Sequence, residues 1–142
     1  MLDTTVFNAV LEGKVSLASF AGSQLLVIGV QAAELRATKN LKKRAELLAV
    51  YDEIHAAKVP ASSFAFDIEG AGFDQACWND GSGNFERMLA RLQELDGKKN
   101  FANQVRDILI AETAIKNGAT LVTGDSKLRK VVLEFGGRAI TP

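Results

Sequence analysis

Residues 104–125 read QVRDILIAETAIKNGATLVTGD, and the reading of this stretch decides the fold. Apolar residues recur at helical spacing from about Gln104 to Asn117, and Gly118 supplies the stop that a helix C-terminus favours. Ala119–Val122 then has the length and composition of a strand buried on both faces. A helix that leads into a short apolar strand is a piece of an α/β chain with a parallel sheet.

The alternation continues outward in both directions. Downstream, Ser126–Glu134 predicts a helix, Gly136-Gly137 its stop, and Arg138–Ile140 a last short strand. Upstream, Met1–Asp3 is expected to end a short first strand, and Val6–Leu11 a helix that Gly13 stops. Leu25–Val30 is a continuous apolar run, expected to be a buried strand, with a helix over Gln31–Thr38 after it. Leu47, Leu48, Tyr51 and Ile54 share one face of a further helix that Pro60 is expected to end. Ser63–Asp67 reads as a third strand and Asp80–Asn84 as a loop. Phe85, Met88, Leu89, Leu92 and Leu95 mark an amphipathic helix. There is no internal repeat and no low-complexity tract, so residues 1–142 are expected to form one α/β domain.

Composition narrows the function. With 17 basic and 17 acidic residues the net charge is zero, which argues against a general nucleic-acid coat and confines any such site to a local patch. One cysteine, Cys77, cannot form an intrachain disulfide, which fits a reducing cytoplasm. One cysteine and one histidine, His55, cannot build a structural zinc site, and two-histidine acid–base catalysis is excluded as well. No basic n-region or apolar h-region follows Met1, so no signal peptide is expected, and Leu25–Val30 is too short to span a membrane.

The acids fall where chemistry is expected. Asp3 and Asp125 each lie at the carboxyl end of an expected strand, the rim where parallel sheets bind ligands. Glu34 follows the Leu25–Val30 run closely enough to reach the same rim. Asp107 shares a face with Ala111, Ala114 and Gly118, a small-residue face suited to close packing, where an unneutralised acid is costly. Glu112 falls on the other side of that helix and reads as solvated. Four converging carboxylates would repel one another unless hard cations such as Mg²⁺ or Mn²⁺ held them together. A simpler account stands beside this one. Asp3 and Asp125 are also suited to cap the helices that follow them, Glu34 to favour a helix start, and Asp107 to pair with a nearby Lys or Arg.

Four stretches carry a resemblance: Leu2-Asp3-Thr4-Thr5-Val6-Phe7, Gln31-Ala32-Ala33-Glu34-Leu35, Arg106-Asp107-Ile108-Leu109-Ile110-Ala111 and Leu121-Val122-Thr123-Gly124-Asp125. In this order the chain resembles the PIN-domain nucleases, in particular the VapC-type toxin ribonucleases, along its whole length and least between about Pro60 and Asn100. The resemblance implies a three-layer fold, a central parallel β-sheet flanked by helices. It implies Asp3, Glu34, Asp107 and Asp125 as catalytic, metal-binding acids for Mg²⁺ or Mn²⁺, and hydrolysis of RNA phosphodiester bonds by metal-activated water. It also implies a protein antitoxin as partner and a homodimer. Two departures stand out. Only two residues precede Asp3, so the first strand is very short or the start lies elsewhere, and Thr5 stands where relatives often carry Asn or Ser.

Thr5 and Thr123 are the expected supporting hydroxyls. Arg36, Lys39, Lys42, Lys43 and Arg44 form a basic run suited to RNA phosphates, or else a solvated helix face, and Lys127, Arg129 and Lys130 raise the same choice. Trp78 and Phe73 are candidates for base stacking or for packing, and His55 for an amphipathic boundary. The rivals to a nuclease are a catalytically inactive PIN-like module that binds RNA or protein, and a phosphoryl-transfer α/β domain. Of the latter, haloacid-dehalogenase enzymes want Asp-x-Asp after the first strand, where this chain has Asp3-Thr4-Thr5, and response-regulator receivers want an acidic pair, a central aspartate and a late lysine that this chain does not assemble.

Overall fold

The computed structural model describes residues 1–63, 65, 67–72, 76, 81–97 and 100–142. Asp3 starts the first helix, α1 (Thr4–Leu11), by accepting the Thr4 N–H at 2.7 Å, and Gly13 at φ +69° follows its end. After a 3-10 turn over Leu17–Phe20 comes β1 (Leu26–Val27), which runs almost at once into α2 (Gly29–Arg36). The apolar run at 25–30 is therefore strand for two residues only. The cause is Gln31, whose Oε1 accepts the Ile28 N–H at 2.9 Å while its amide donates to the Leu2 carbonyl at 2.7 Å. That buried clamp starts the helix two residues ahead of expectation and places Glu34 past the first turn.

Asn40 caps α3 (Leu41–Ile54) through the Lys43 N–H at 3.0 Å. The helix ends at His55, left-handed at φ +51°, well before Pro60. Between them lies β2 (Ala57–Lys58), an exposed two-residue strand without an apolar signature. Of the strand expected over Ser63–Asp67, the described residues are not strand: Ser63 sits in a bend and Asp67 in a turn at φ +62°, while Phe64 and Phe66 lie outside the described residues. Trp78, Phe73, Cys77 and Asp80 lie outside them too. The chain continues as α4 (Asn84–Asp96), α5 (Phe101–Lys116), β3 (Thr120–Val122), α6 (Ser126–Glu134) and β4 (Arg138–Ile140).

Among the described residues the strands form two two-stranded parallel sheets, β1 with β2 and β3 with β4, rather than one central sheet. Met1–Asp3 runs between them. The Leu2 N–H donates to the Leu26 carbonyl (3.0 Å), the Asp3 N–H to Val122 (3.0 Å), and the Val122 N–H returns to Met1 (2.9 Å). Neighbouring residues along these segments enter opposite cores, as pleated backbone requires. Leu2, Val27 and Val122 join Val6, Phe7, Leu35 and Leu47 between α1, α2 and α3. Met1, Ile28 and Leu121 join Met88, Leu92, Ile108, Leu109 and Leu128 beside α4, α5 and α6. Each of these side chains contributes about 1.5–3 kcal/mol by leaving water.

α5 packs against α2, α4, α6 and β3, and so is buried on more than one side. Glu112 is consequently not solvated: only 2% of it is exposed, and Lys116, one turn on, stands 2.8 Å from its carboxylate. Among the described residues no helix is long and apolar enough to cross a membrane.

Candidate active site

The first carboxylate, Asp3, is 2% exposed and heavily engaged. Its Oδ1 accepts the Thr4 N–H, and its Oδ2 accepts the hydroxyls of Thr5 (2.6 Å) and Thr123 (2.7 Å). Thr5 accepts in turn from the Gly124 N–H at 3.0 Å, and Thr123 from the Asp125 N–H at 3.0 Å. The two threonines thus tie the start of α1 to the loop after β3. The chain termini of the site, 120 residues apart in sequence, are joined at one carboxylate.

Asp125 caps α6, its Oδ1 accepting the N–H groups of Lys127 (2.7 Å) and Leu128 (3.0 Å). Capping by Asp3 and Asp125 is therefore real, and each cap leaves oxygen lone pairs over. Glu34, half-buried on α2, accepts a hydroxyl hydrogen bond from Thr4. Burial pushes its pKa up, the Thr4 hydroxyl and the Arg106 charge act against this, and Asp3 adds to the rise.

Asp107 differs from all three. Among the described residues it makes no hydrogen bond and no ion pair. Its pKa is pushed up to about 8, first by burial and then by the negative charges of Asp3, Glu34, Asp125 and Asp96. The pairing with a Lys or Arg that would have made Asp107 structural is absent among the described residues. What faces it is acid.

The four expected acids therefore lie close enough to feel one another. They do not form a coordination shell: among the described residues no three His, Cys, Asp or Glu side chains stand near enough together to hold a metal ion. The reason is visible in the hydrogen bonds. Asp3, Glu34 and Asp125 are each turned toward hydroxyl or amide donors, which is how like charges reduce their mutual repulsion. The donor set is all oxygen and suits a hard divalent cation.

The basic run is not among the charges that act on Glu34 or Asp107. Arg36 ends α2, Lys39 is in the following loop, and Lys42, Lys43 and Arg44 fill the first turn of α3. Lys42 stands 3.9 Å from Glu46, and Arg44 donates to the Arg36 carbonyl at 3.4 Å. Lys127 pairs with Asp96. His55 is an exposed helix end whose Nδ1 lies 2.6 Å from the Glu53 carbonyl. Three contributors were not anticipated. Thr4 and Gln31 look in sequence like ordinary helix residues, and Arg106 is distinguished only by standing next to Asp107.

Comparison with protein families, characterised proteins and solved structures finds no match for this chain.

Proposed function

We propose that the chain is a PIN-like, metal-dependent endoribonuclease that uses Asp3, Glu34, Asp107 and Asp125 to hold Mg²⁺ or Mn²⁺. One observation carries the reading. Four acids from four separate segments lie within electrostatic reach of one another, and burial together with Asp3, Glu34, Asp125 and Asp96 drives Asp107 up to about 8, while Arg106 relieves Glu34. Such an arrangement costs stability, and functional sites are where that cost is tolerated.

The hydrogen bonds that run from Met1–Asp3 to β1 and β3, with cores on both sides, support one parallel sheet between two helical layers. On that reading the acids share the carboxyl rim of the sheet. Thr5 and Thr123 fix Asp3, Thr4 steadies Glu34 until a cation competes for it, and Asp107 offers both oxygens once its proton is lost. A bound divalent cation would supply charge neutralisation and a water made acidic enough to attack a phosphodiester. No histidine is needed.

The capping roles of Asp3 and Asp125 favour one competing reading, a PIN-like module that binds RNA or protein without cleaving. Incubation with generic single-stranded RNA separates the two. The nuclease reading expects cleavage that requires Mg²⁺ or Mn²⁺, stops with EDTA and leaves a 5′-phosphate. Cleavage that persists in EDTA, or a 2′,3′-cyclic phosphate product, contradicts the mechanism, and binding without cleavage supports the module.

A further inference from the structure

A cavity of about 260 Å³ opens beside the acids, between the second half of α2, the first turns of α5 and the segment that carries Glu69. Ala33 on α2 and Ala37 and Thr38 just past its end line it, with Asn103 and Arg106 on α5. Glu34 belongs to both places: it lines the cavity and is coupled to Asp3. The cavity therefore adjoins the point where cleavage is proposed. Its volume is slightly below that of pockets for drug-sized ligands and suits one small unit.

Among the described residues Arg106 is the cation that lines this cavity. It stands one residue before Asp107, so a rotation of about 100° around α5 turns the guanidinium away from the direction in which the carboxylate points. It is half-buried, its Nη1 donates to Asn103 Oδ1 at 2.8 Å, and no carboxylate among the described residues is within ion-pair distance of it. That single bond orients the guanidinium and leaves most of its five donors unused. A planar fork of that kind matches the oxygens of a phosphate. Arg106 favours the charged form of Glu34 at a distance, yet among the described residues it forms no ion pair, so its guanidinium remains open to a ligand.

The opposite wall is fixed by backbone contact. Gly70 has φ +93°, and a Cβ there would come within 2.3 Å of the Gly29 carbonyl carbon, so its segment rests directly on the first turn of α2. The neighbouring Glu69 is held at the exposed edge of the cavity. A second phosphate would meet that carboxylate, whereas the amino groups of a base edge would be accepted by it. The cavity is thus polarised, cationic at Arg106 and anionic at Glu69 and at Glu34, the latter on the side of the acids.

We infer that this cavity receives one nucleotide of a single-stranded RNA next to the bond to be cut, with Arg106 as its phosphate contact and Glu69 facing the base. This assignment rests on the ribonuclease reading. The test is binding of a short single-stranded RNA to Asp107→Asn protein, which cannot cut it, as a function of salt. Adding Arg106→Ala should weaken binding about tenfold and lower the salt slope by about one. Arg106→Lys should recover the slope but not the full affinity. In protein that retains Asp107, Arg106→Ala should raise KM with kcat little changed, and Gly70→Ala, which shifts the wall, should raise KM also. If cleavage occurs and neither arginine variant changes KM or salt slope, the subsite is wrong while the nuclease stands. If wild-type protein neither binds nor cuts RNA with Mg²⁺ or Mn²⁺, the nuclease reading fails and the subsite with it.

Discussion

Helix α5 carries two withdrawn carboxylates, five residues apart, and they are treated in opposite ways. Glu112 is 2% exposed and is met by Lys116 at 2.8 Å. Asp107 is half-buried and is met by the charges of Asp3, Glu34, Asp125 and Asp96. A buried charge that serves structure comes with its counter-ion in the chain, because removing an ion from water without a partner costs several kcal/mol. Asp107 has no such counter-ion among the described residues. The contrast supports Asp107, and not Glu112, as the acid for which a cation from solution is proposed.

The contrast is sharpest in exchange experiments on the two acids. Asp107→Asn should lower RNA cleavage by more than roughly 100-fold, since even outer-shell changes at metal sites cost 10–100-fold. The metal-free fold should survive it. Lys116→Met should do the reverse. It strands Glu112 and should destabilise the protein by about 2–4 kcal/mol, while the folded fraction cuts RNA as before. Both are read by denaturant melts and by initial rates on the same preparations. Loss of stability without loss of rate at Asp107 would merge the two acids into one structural class.

A smaller effect concerns pH. The Asp107 carboxyl is held at about 8, against an ordinary value of 3.8. The folded chain therefore keeps a proton that the unfolded chain gives up. The stability this provides is complete below about pH 4 and is lost as pH rises through about 8. Glu34 is also raised and acts in the same direction. Metal-free wild type should accordingly weaken as pH rises from about 4 to about 8, and Asp107→Asn should weaken less. At pH 9 the variant should be the more stable by about 0.5–2 kcal/mol. Equal pH slopes for the two proteins would remove the electrostatic basis of the comparison.

Much of this was legible in the sequence where local chemistry and fold agree. The bounds expected for α6 and β4 match the structure because Asp125 is a true cap and Gly136 a true stop at φ +79°. The four acids were legible as positions, Asp3 and Asp125 beside strand ends and Glu34 and Asp107 on helices, but their electrostatic coupling shows only once α2 and α5 are packed. Other features were decided by contacts distant in sequence. The run at 25–30 is as apolar as a strand, and only Gln31 reaching the Leu2 carbonyl shows where the helix starts. β2 has two exposed residues and no pattern to read. Glu112 was taken as solvated because it opposes Asp107 on the helix, a rule that fails when α5 is covered on several sides. Arg106 gains meaning only from the cavity that it lines.

The measurement closest to the central claim is a calorimetric titration of Mn²⁺ into metal-free protein at pH 7, in two buffers of different ionisation heat. Melting curves accompany it. Wild type should bind Mn²⁺, gain melting temperature with its concentration, and release close to one proton as Asp107 ionises. Asp107→Asn should lose most of the affinity, the stabilisation and the proton release together. If millimolar Mn²⁺ produces no binding heat and no melting shift in wild type, the four carboxylates are helix caps and strained acids, and the metal site does not exist.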